Sequence, residues 1–159
     1  MLQRIQTIFL ILVVLFMGLS FLFPLWTLYN LDGEITHQLF NLKLNTISER
    51  DGSVTVIQYP YLFVGILAGI TMIVAILEIS KFKNRLLQMK LGALNAMLMA
   101  ATLGVGVYFA TDLINSIPGN GGAYGPGLFL PGAAMICNII ANRFIRKDER
   151  LVRSVDRIR

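Results

Sequence analysis

Four long stretches without a charged residue divide this chain, and shorter polar segments separate them. They cover residues 5–31, 52–77, 91–111 and 113–142. A helix needs about 20 apolar residues to cross a bilayer, so the pattern predicts membrane spans at about 5–26, 61–79, 91–110 and 128–145. We therefore expect an all-α membrane protein, a four-transmembrane-helix bundle that forms one integral membrane domain over residues 1–159.

The longest polar segment, residues 30–58, has the periodicity of strands. Residues 40–45 alternate apolar and polar side chains, and residues 54–57 are rich in β-branched side chains beside turn signals. We expect a small antiparallel β hairpin or meander in this first outer loop. A bare hairpin is marginal in water, so Phe40, Leu42 and Leu44 are expected to pack on the helix ends.

The second outer loop, residues 111–127, is rich in glycine and proline. Such a composition predicts a connector without regular structure beyond a short helical turn. The loop lacks the lysine and the preceding strand of a phosphate-binding loop. A binding loop of another kind is the alternative to a plain connector.

The first apolar run follows Arg4 and has the charge order of a secretory signal peptide. It is too long for one, and residues 23–26 (Phe-Pro-Leu-Trp) stand where a small-residue cleavage site belongs. We expect an uncleaved first span, with a cleaved signal peptide as the alternative.

Composition and charge fix the predicted orientation. Hydrophobic residues make up 55% of the chain and charged residues 14%, against about 25% charged in soluble domains. Twelve of the 14 basic residues lie on one side of the predicted membrane: Arg4, Lys81, Lys83, Arg85, Lys90, Arg143, Arg146, Lys147, Arg150, Arg153, Arg157 and Arg159. The excess of basic residues on cytoplasmic loops predicts that both termini are cytoplasmic. Because the basic residues flank the spans, the pI near 9.7 does not indicate nucleic-acid binding.

Small side chains indicate where the helices pack. Gly65 and Gly69 form one small-xxx-small pair in the second span. A longer strip recurs every four residues in the third span: Gly92, Ala96, Ala100 and Gly104. The strip predicts a close helix contact within the bundle, and a subunit interface is its alternative use.

Polar side chains inside the spans are few. Asn95, Asn138 and Asn142 are expected at a similar depth, where their amides would hydrogen-bond across the bundle. A polar substrate site is the alternative. Glu78 is expected to pair with Lys81 one turn later, rather than to carry a proton.

Catalytic chemistry is missing from the pattern. His37 is the only histidine and Cys137 the only cysteine, so the sequence predicts no metal site, no cofactor and no disulfide. No ionisable residue lies at the middle of a predicted span, which counts against a proton-coupled transporter but leaves a passive channel open. We expect a protein that is not an enzyme.

The sequence resembles a bacterial family, the small four-span membrane proteins of Bacteroidetes catalogued as domain of unknown function 4293. The resemblance rests on residues 4–7, 82–91 and above all 141–159, which read ANRFIRKDERLVRSVDRIR. It implies a bacterial cell inner membrane and no particular activity.

The C-terminal segment, residues 143–159, suggests a partner surface. As a cytoplasmic amphipathic helix it places Phe144, Leu151, Val155 and Ile158 on one stripe. Its basic residues are candidates for binding a partner or anionic lipid headgroups: Arg143, Arg146, Lys147, Arg150, Arg153, Arg157 and Arg159. A role in orientation alone is the alternative.

The sequence is compatible with three functions. The first is a non-enzymatic accessory or scaffold subunit of a larger membrane complex, with membrane lipids and other membrane proteins as partners. The second is a small-molecule or lipid transporter or channel that acts as a homo-oligomer. The third, a lipid-handling enzyme built on His37 or the outer acidic residues, finds no support in residue spacing.

Overall fold

The computed structural model describes residues 2–48, 51–82, 84–117 and 122–156. Its helices are α1 (Leu2–Leu19), α2 (Leu62–Ser80), α3 (Arg85–Ser116) and α4 (Pro126–Asp156). In this part of the chain, three helices are long and apolar enough to cross a membrane: Leu62–Ser80, Arg85–Ser116 and Pro126–Val152. A shorter apolar helix covers Ile5–Leu19. These helices suggest a multi-pass membrane protein.

The four helices form a ring in which α1 and α3 each pack against α2 and α4. Consecutive helices run in opposite directions. We call the end where α1 begins, α2 meets α3 and α4 finishes the basic end. The opposite end, which bears the strands, is the sheet end.

One antiparallel sheet of five strands lies at the sheet end. Its strands are β1 (Trp26–Tyr29), β2 (Ile35–Leu39), β3 (Leu44–Ile47), β4 (Val54–Ile57) and β5 (Ala123–Tyr124). Their order is β4-β3-β2-β1-β5. Trp26 lies opposite Leu39 on one side and Tyr124 on the other. The first outer loop therefore does form the predicted antiparallel meander.

The first predicted span was too long at its sheet end. We expected a helix over 5–26, but α1 ends at Leu19 and Trp26 already belongs to β1. Ser20 turns the chain, because its hydroxyl donates to the Met17 carbonyl oxygen at 2.7 Å. An apolar strand buried on both sides has the same hydropathy as a helix, so the charge-free run continued through both elements.

The strand predicted over residues 40–45 is confirmed only at Leu44 and Asn45, which belong to β3, and is wrong for residues 40–43. Residues 40–43 form the turn between β2 and β3, which closes with the Phe40 amide donating to the Lys43 carbonyl at 2.8 Å. Leu44 is buried at the start of β3, whereas Phe40 is half-buried and Leu42 is exposed. Alternation over six residues does not separate a strand from a tight turn between two strands.

The second outer loop contains a strand that the sequence did not predict. Ala123 and Tyr124 form β5 beside β1, and the Gly125 amide donates to the Leu25 carbonyl at 2.8 Å. Gly122 has a φ of +64° and would overlap Trp26 and Thr27 if it carried a Cβ atom. Its glycine is required by both its conformation and this close approach. Residues 118–121 lie outside the described part of the chain.

Two helices are longer than predicted. The third span was expected over 91–110 and the fourth over 128–145, followed by a cytoplasmic tail over 146–159. Instead α3 covers Arg85–Ser116, and α4 runs as one helix of 31 residues from Pro126 to Asp156. Helix geometry continues wherever backbone hydrogen bonds can, so a change from apolar to charged side chains does not end it. The amphipathic segment is thus the end of α4.

Two apolar clusters hold the fold together. The first joins the sheet to the helices at the sheet end: Leu25, Trp26, Leu28, Leu39, Leu44, Tyr61, Val64, Ala110, Leu113 and Leu128. The second fills the bundle below it: Val13, Met17, Ala68, Ala75, Met99 and Ala134. Toward the basic end, several buried side chains are polar and lie beside buried apolar ones such as Ala141 and Ile145.

Candidate functional site

A relay of asparagines joins α4 to α3 near the basic end. Asn138 is fully buried and its Nδ2 donates to the carbonyl oxygen of Gly92 at 2.8 Å. The Nδ2 of Asn142 lies 3.4 Å from the Asn138 Oδ1, a weak bond. The Asn142 amide lies directly against Gly92, where a Cβ atom would overlap it. Gly92 therefore lets the α4 amides reach the backbone of α3.

Asn95 is buried but does not join this relay. Neither of its amide atoms has a hydrogen-bond partner among the described residues. A buried amide without a partner costs on the order of 1–3 kcal/mol. The structure thus brings Asn138 and Asn142 together and leaves Asn95 separate.

Glu78 is the second unexpected feature of the polar interior. Its side chain is 0% exposed, and neither carboxyl oxygen has a partner among the described residues. The expected pair with Lys81 is wrong. Lys81 is exposed and caps the end of α2 outside the helix, while Glu78 lies on the face of α2 that packs inside the bundle.

Two glutamines extend the polar interior onto other helices. Gln6 of α1 is 3% exposed and Gln88 of α3 is 1% exposed. The side-chain oxygen of each lacks a partner in the described part of the chain. Each of the four helices therefore buries at least one polar side chain in its basic-end half.

The small residues of α3 do not all face its neighbours. Gly92 is buried and Ala96 half-buried, but Ala100 and Gly104 are exposed. Four residues turn an α-helix by 400°, so a four-residue repeat rotates by about 120° between Gly92 and Gly104. The buried positions of α3 instead recur at intervals of three or four: Gln88, Gly92, Asn95, Met99, Thr102, Gly106, Ala110 and Leu113.

The glycine pair of α2 has a different neighbour from the one expected. A Cβ atom on Gly65 would overlap Leu42 and the Asn41 carbonyl, which belong to the turn between β2 and β3. A Cβ atom on Gly69 would have no described neighbour within 4 Å. Gly65 thus allows the turn between β2 and β3 to pack closely against α2.

An ion pair ties the end of α4 to the start of α3. Arg85 Nη2 lies 3.1 Å from Asp148 Oδ2, and Arg85 Nη1 donates to the Asp148 carbonyl oxygen at 3.0 Å. The side chains are 27% and 19% exposed. Asn84 caps α3, since its Oδ1 accepts from the Leu87 amide at 3.1 Å. The α3–α4 contact therefore continues beyond the apolar part of the bundle.

Three neighbouring cavities lie along the groove between α3 and α4. We call the deepest of them, of about 190 Å³, the inner cleft; it is lined by Gly92, Ala93, Ala96, Asn138, Ile139, Asn142, Arg143 and Arg146. The next, of about 200 Å³, is lined by Met89, Arg146, Glu149 and Arg150. The outermost, of about 490 Å³, is lined by Asn84, Arg85, Leu86, Glu149 and Val152.

The basic residues singled out in the C-terminal segment divide into three groups. Arg143, Arg146 and Arg150 line the groove, whereas Lys147 is exposed and lines none of these cavities. At Arg153 only the backbone is described. Arg157 and Arg159 lie outside the described residues, and so does the stripe position Ile158.

The remaining candidate groups stay apart. His37 is half-buried in β2, and its Nδ1 lies 3.2 Å from the Thr36 hydroxyl. Burial lowers the pKa of His37 below its usual value. Cys137 lies within α4 and is not bonded to another cysteine. Among the described residues, no three His, Cys, Asp or Glu side chains are grouped to hold a metal ion.

Sequence reasoning missed the Arg85–Asp148 pair and the inward-facing Glu78, Gln6 and Gln88. The pair joins residues 63 positions apart, and no local spacing indicates such a contact. For Gln88 a signal existed, because it begins the three-and-four repeat of buried positions on α3. The four-residue strip of small residues does not follow that repeat.

The comparisons place the chain in one family. A family model described as a domain of unknown function (DUF4293) matches residues 2–158, nearly the whole chain. No curated protein matches the sequence.

Proposed function

The chain belongs to the DUF4293 family, and we propose that it is a non-enzymatic subunit of a bacterial inner-membrane complex that holds a partner protein at its basic end. One observation carries the proposal. Helix α4 continues without a break from the apolar bundle into a basic segment, and the Arg85–Asp148 pair ties that segment to α3. A fixed, charged projection of this kind is suited to binding another protein.

The proposed topology has four spans with both termini in the cytoplasm. An 18-residue helix such as α1 is about 27 Å long, close to the roughly 30 Å of the hydrocarbon core. The basic residues of α2–α3 and α4 lie at the same end of the ring, and positive charge favours the cytoplasmic side. The sheet would then face the periplasm.

The charged end of α4 has the composition of a docking site. Lys147 and Arg150 are exposed beside the exposed apolar residues Leu151 and Val152. Apolar side chains provide buried area on binding, and the surrounding charges select a partner of opposite sign. We therefore expect the partner to present an acidic rim around an apolar contact.

Purification from native membranes tests this function. The wild-type protein is expected to retain a defined partner in mild detergent, and Lys147→Glu with Arg150→Glu is expected to release it. Lys43→Glu, an exposed reversal of one charge in the turn before β3, is the control at the sheet end and should retain the partner, as should each of the single variants of Lys43 to a neutral residue. The proposal is contradicted if no protein co-purifies with the wild type, or if the double variant retains the same proteins as the wild type.

Reporter fusions test the topology separately. A fusion after Gln58 is expected to report the periplasm, and one after Arg159 the cytoplasm. A cytoplasmic signal from the first fusion would overturn the orientation.

A second function, a channel or transporter acting as a homo-oligomer, is favoured by Glu78. A carboxyl buried without a partner near a span end is costly and is commonly retained for function. This function predicts solute or ion flux into proteoliposomes that Glu78→Gln abolishes, from a particle larger than a monomer. A monomer without flux for any tested ion, proton or small solute would exclude it.

A further inference from the structure

The inner cleft differs from its two neighbours in charge. Arg143 and Arg146 lie on its rim, both exposed and three residues apart on α4, so they share one face of the helix. No carboxylate lines this cleft, whereas Glu149 lines both of the other cavities. Among the described residues that line the inner cleft, the two guanidinium groups meet no carboxylate, although Arg146 also lines the second cavity together with Glu149. Because guanidinium binds phosphate especially well, the pair favours an anion in the inner cleft.

The floor of the inner cleft is small and apolar toward the sheet end. Ala93 and Ala96 of α3 face Ile139 of α4 across the groove, and Ile139 is 46% exposed. The cleft stays open because Gly92 carries no side chain and the Asn142 amide lies folded against it. The site therefore has a cationic rim on one side and an apolar trough on the other.

The cleft lies at the boundary between apolar and charged residues. Gly92 contacts Asn142, and α3 and α4 run in opposite directions, so Lys90 and Arg143 lie at nearly the same height. Lys90 directly precedes the charge-free run 91–111, and Arg143 directly follows the charge-free run 113–142. In a membrane this height is where the phosphates of the lipids lie.

We propose that the inner cleft binds an anionic phospholipid of the surrounding bilayer. Its phosphate lies between Arg143 and Arg146, and the first part of an acyl chain lies along Ala93, Ala96 and Ile139. A free phosphate ion would use the rim and leave the trough empty. An acidic protein segment would place polar backbone groups against the apolar trough, where they would lack hydrogen-bond partners. A phospholipid satisfies both parts. Lys147 and Arg150, which are assigned to a protein partner, do not line the inner cleft, although Arg150 lines the neighbouring cavity together with Arg146.

Native mass spectrometry of the protein from nanodiscs tests the site. The probes are phosphatidylglycerol and phosphatidylcholine with identical acyl chains. The wild type is expected to retain one phosphatidylglycerol in preference to phosphatidylcholine. Arg143→Gln with Arg146→Gln should lower that preference by about 30-fold, the effect of two lost phosphate contacts. Lys147→Gln with Arg150→Gln removes the same charge outside the inner cleft and should leave the preference within about threefold of the wild type.

A second variant separates binding in the cleft from attraction to a charged surface. Ala93 is exposed, so Ala93→Trp fills the trough without disturbing the core, and it should also release the lipid. The proposal is overturned if Ala93→Trp retains phosphatidylglycerol as well as the wild type does. It is also overturned if the two double glutamine variants lose the lipid equally, or if millimolar inorganic phosphate displaces it. Loss of the lipid with the partner protein still bound would leave the proposed scaffold function intact.

Discussion

A single glycine decides how closely α3 and α4 approach. At Gly92 an added methyl group would overlap the Asn142 amide, whereas at Gly104 it would have no described neighbour within 4 Å. We expect Gly92→Ala to destabilise the protein by about 1–3 kcal/mol through overpacking. Gly104→Ala should be neutral or stabilise α3 by up to about 1 kcal/mol, because alanine favours helix. Thermal unfolding in one detergent measures both.

Equal melting temperatures for the two glycine variants would show that the asparagine relay yields without cost. Such a result would also remove the reason why Gly92 keeps the inner cleft open.

His37 makes the sheet sensitive to acid. Burial lowers the pKa of His37 below the usual 6.5, so the unfolded chain takes up the proton at a higher pH than the folded one. Stability is therefore complete above about pH 6.5 and is lost as the pH falls through the lower, folded pKa. We expect a lower melting temperature at pH 5.5 than at pH 7.5, and a smaller difference in His37→Gln.

Trp26 provides the readout for that experiment. It is the only tryptophan of the chain and is fully buried in the sheet, so its emission follows the sheet rather than the bundle. An acid shift of the same size in His37→Gln would assign the effect to other groups.

At the residue scale the sequence located the polar positions better than their partners. The spacing of Asn138 and Asn142 placed them on one helix face, and they do lie together. Asn138 alone bonds to α3, and it does so at the Gly92 carbonyl and not at the Asn95 amide. A side chain's partner depends on helix rotation and crossing, which no single helix encodes.

At the scale of elements, the Arg85–Asp148 pair joins the start of α3 to the charged end of α4. We expect Arg85→Ala and Asp148→Ala each to destabilise the protein. Together they should cost less than the sum of the two, with a coupling energy of about 0.5–1 kcal/mol for a largely screened pair. A double-mutant cycle of thermal unfolding measures the coupling. Strict additivity would mean that the two side chains act independently.

The helices were predictable where an apolar segment has the length of a membrane span and contains no strand. Residues 61–79 were predicted as a span and form α2 within one residue at each end. Prediction failed at residues 20–29, where one apolar run contains a helix end, a turn and β1. Hydropathy measures burial, and burial is common to a spanning helix and to a strand inside a packed sheet.

At the scale of the whole molecule, Gly122 connects the two outer loops. Gly122→Ala is expected to weaken the β1–β5 pairing, because the new methyl group would overlap Trp26 and Thr27. Gly33→Ala is the matched control: Gly33 also has a positive φ, of +81°, but no atom lies within 4 Å of the added carbon. Both changes strain the backbone by about 1 kcal/mol, so the difference between them isolates the overlap.

A red shift of Trp26 emission in Gly122→Ala alone, with a lower melting temperature than that of Gly33→Ala, is the expected result. Identical spectra and melting temperatures would show that β5 can move away from β1 without loss.

The β1–β5 pairing also sets an order of events during synthesis. A chain made from its N-terminus delivers β1 to β4 early, but β5 follows α3, some 94 residues after the end of β1 at Tyr29. The edge of β1 beside Trp26 therefore stays unpaired with β5 until α3 and the segment that follows it have been made. The β1–β5 pairing can therefore form only after α3 has brought Ala123 and Tyr124 to the sheet end, so a complete sheet requires that α3 already runs from the basic end to the sheet end.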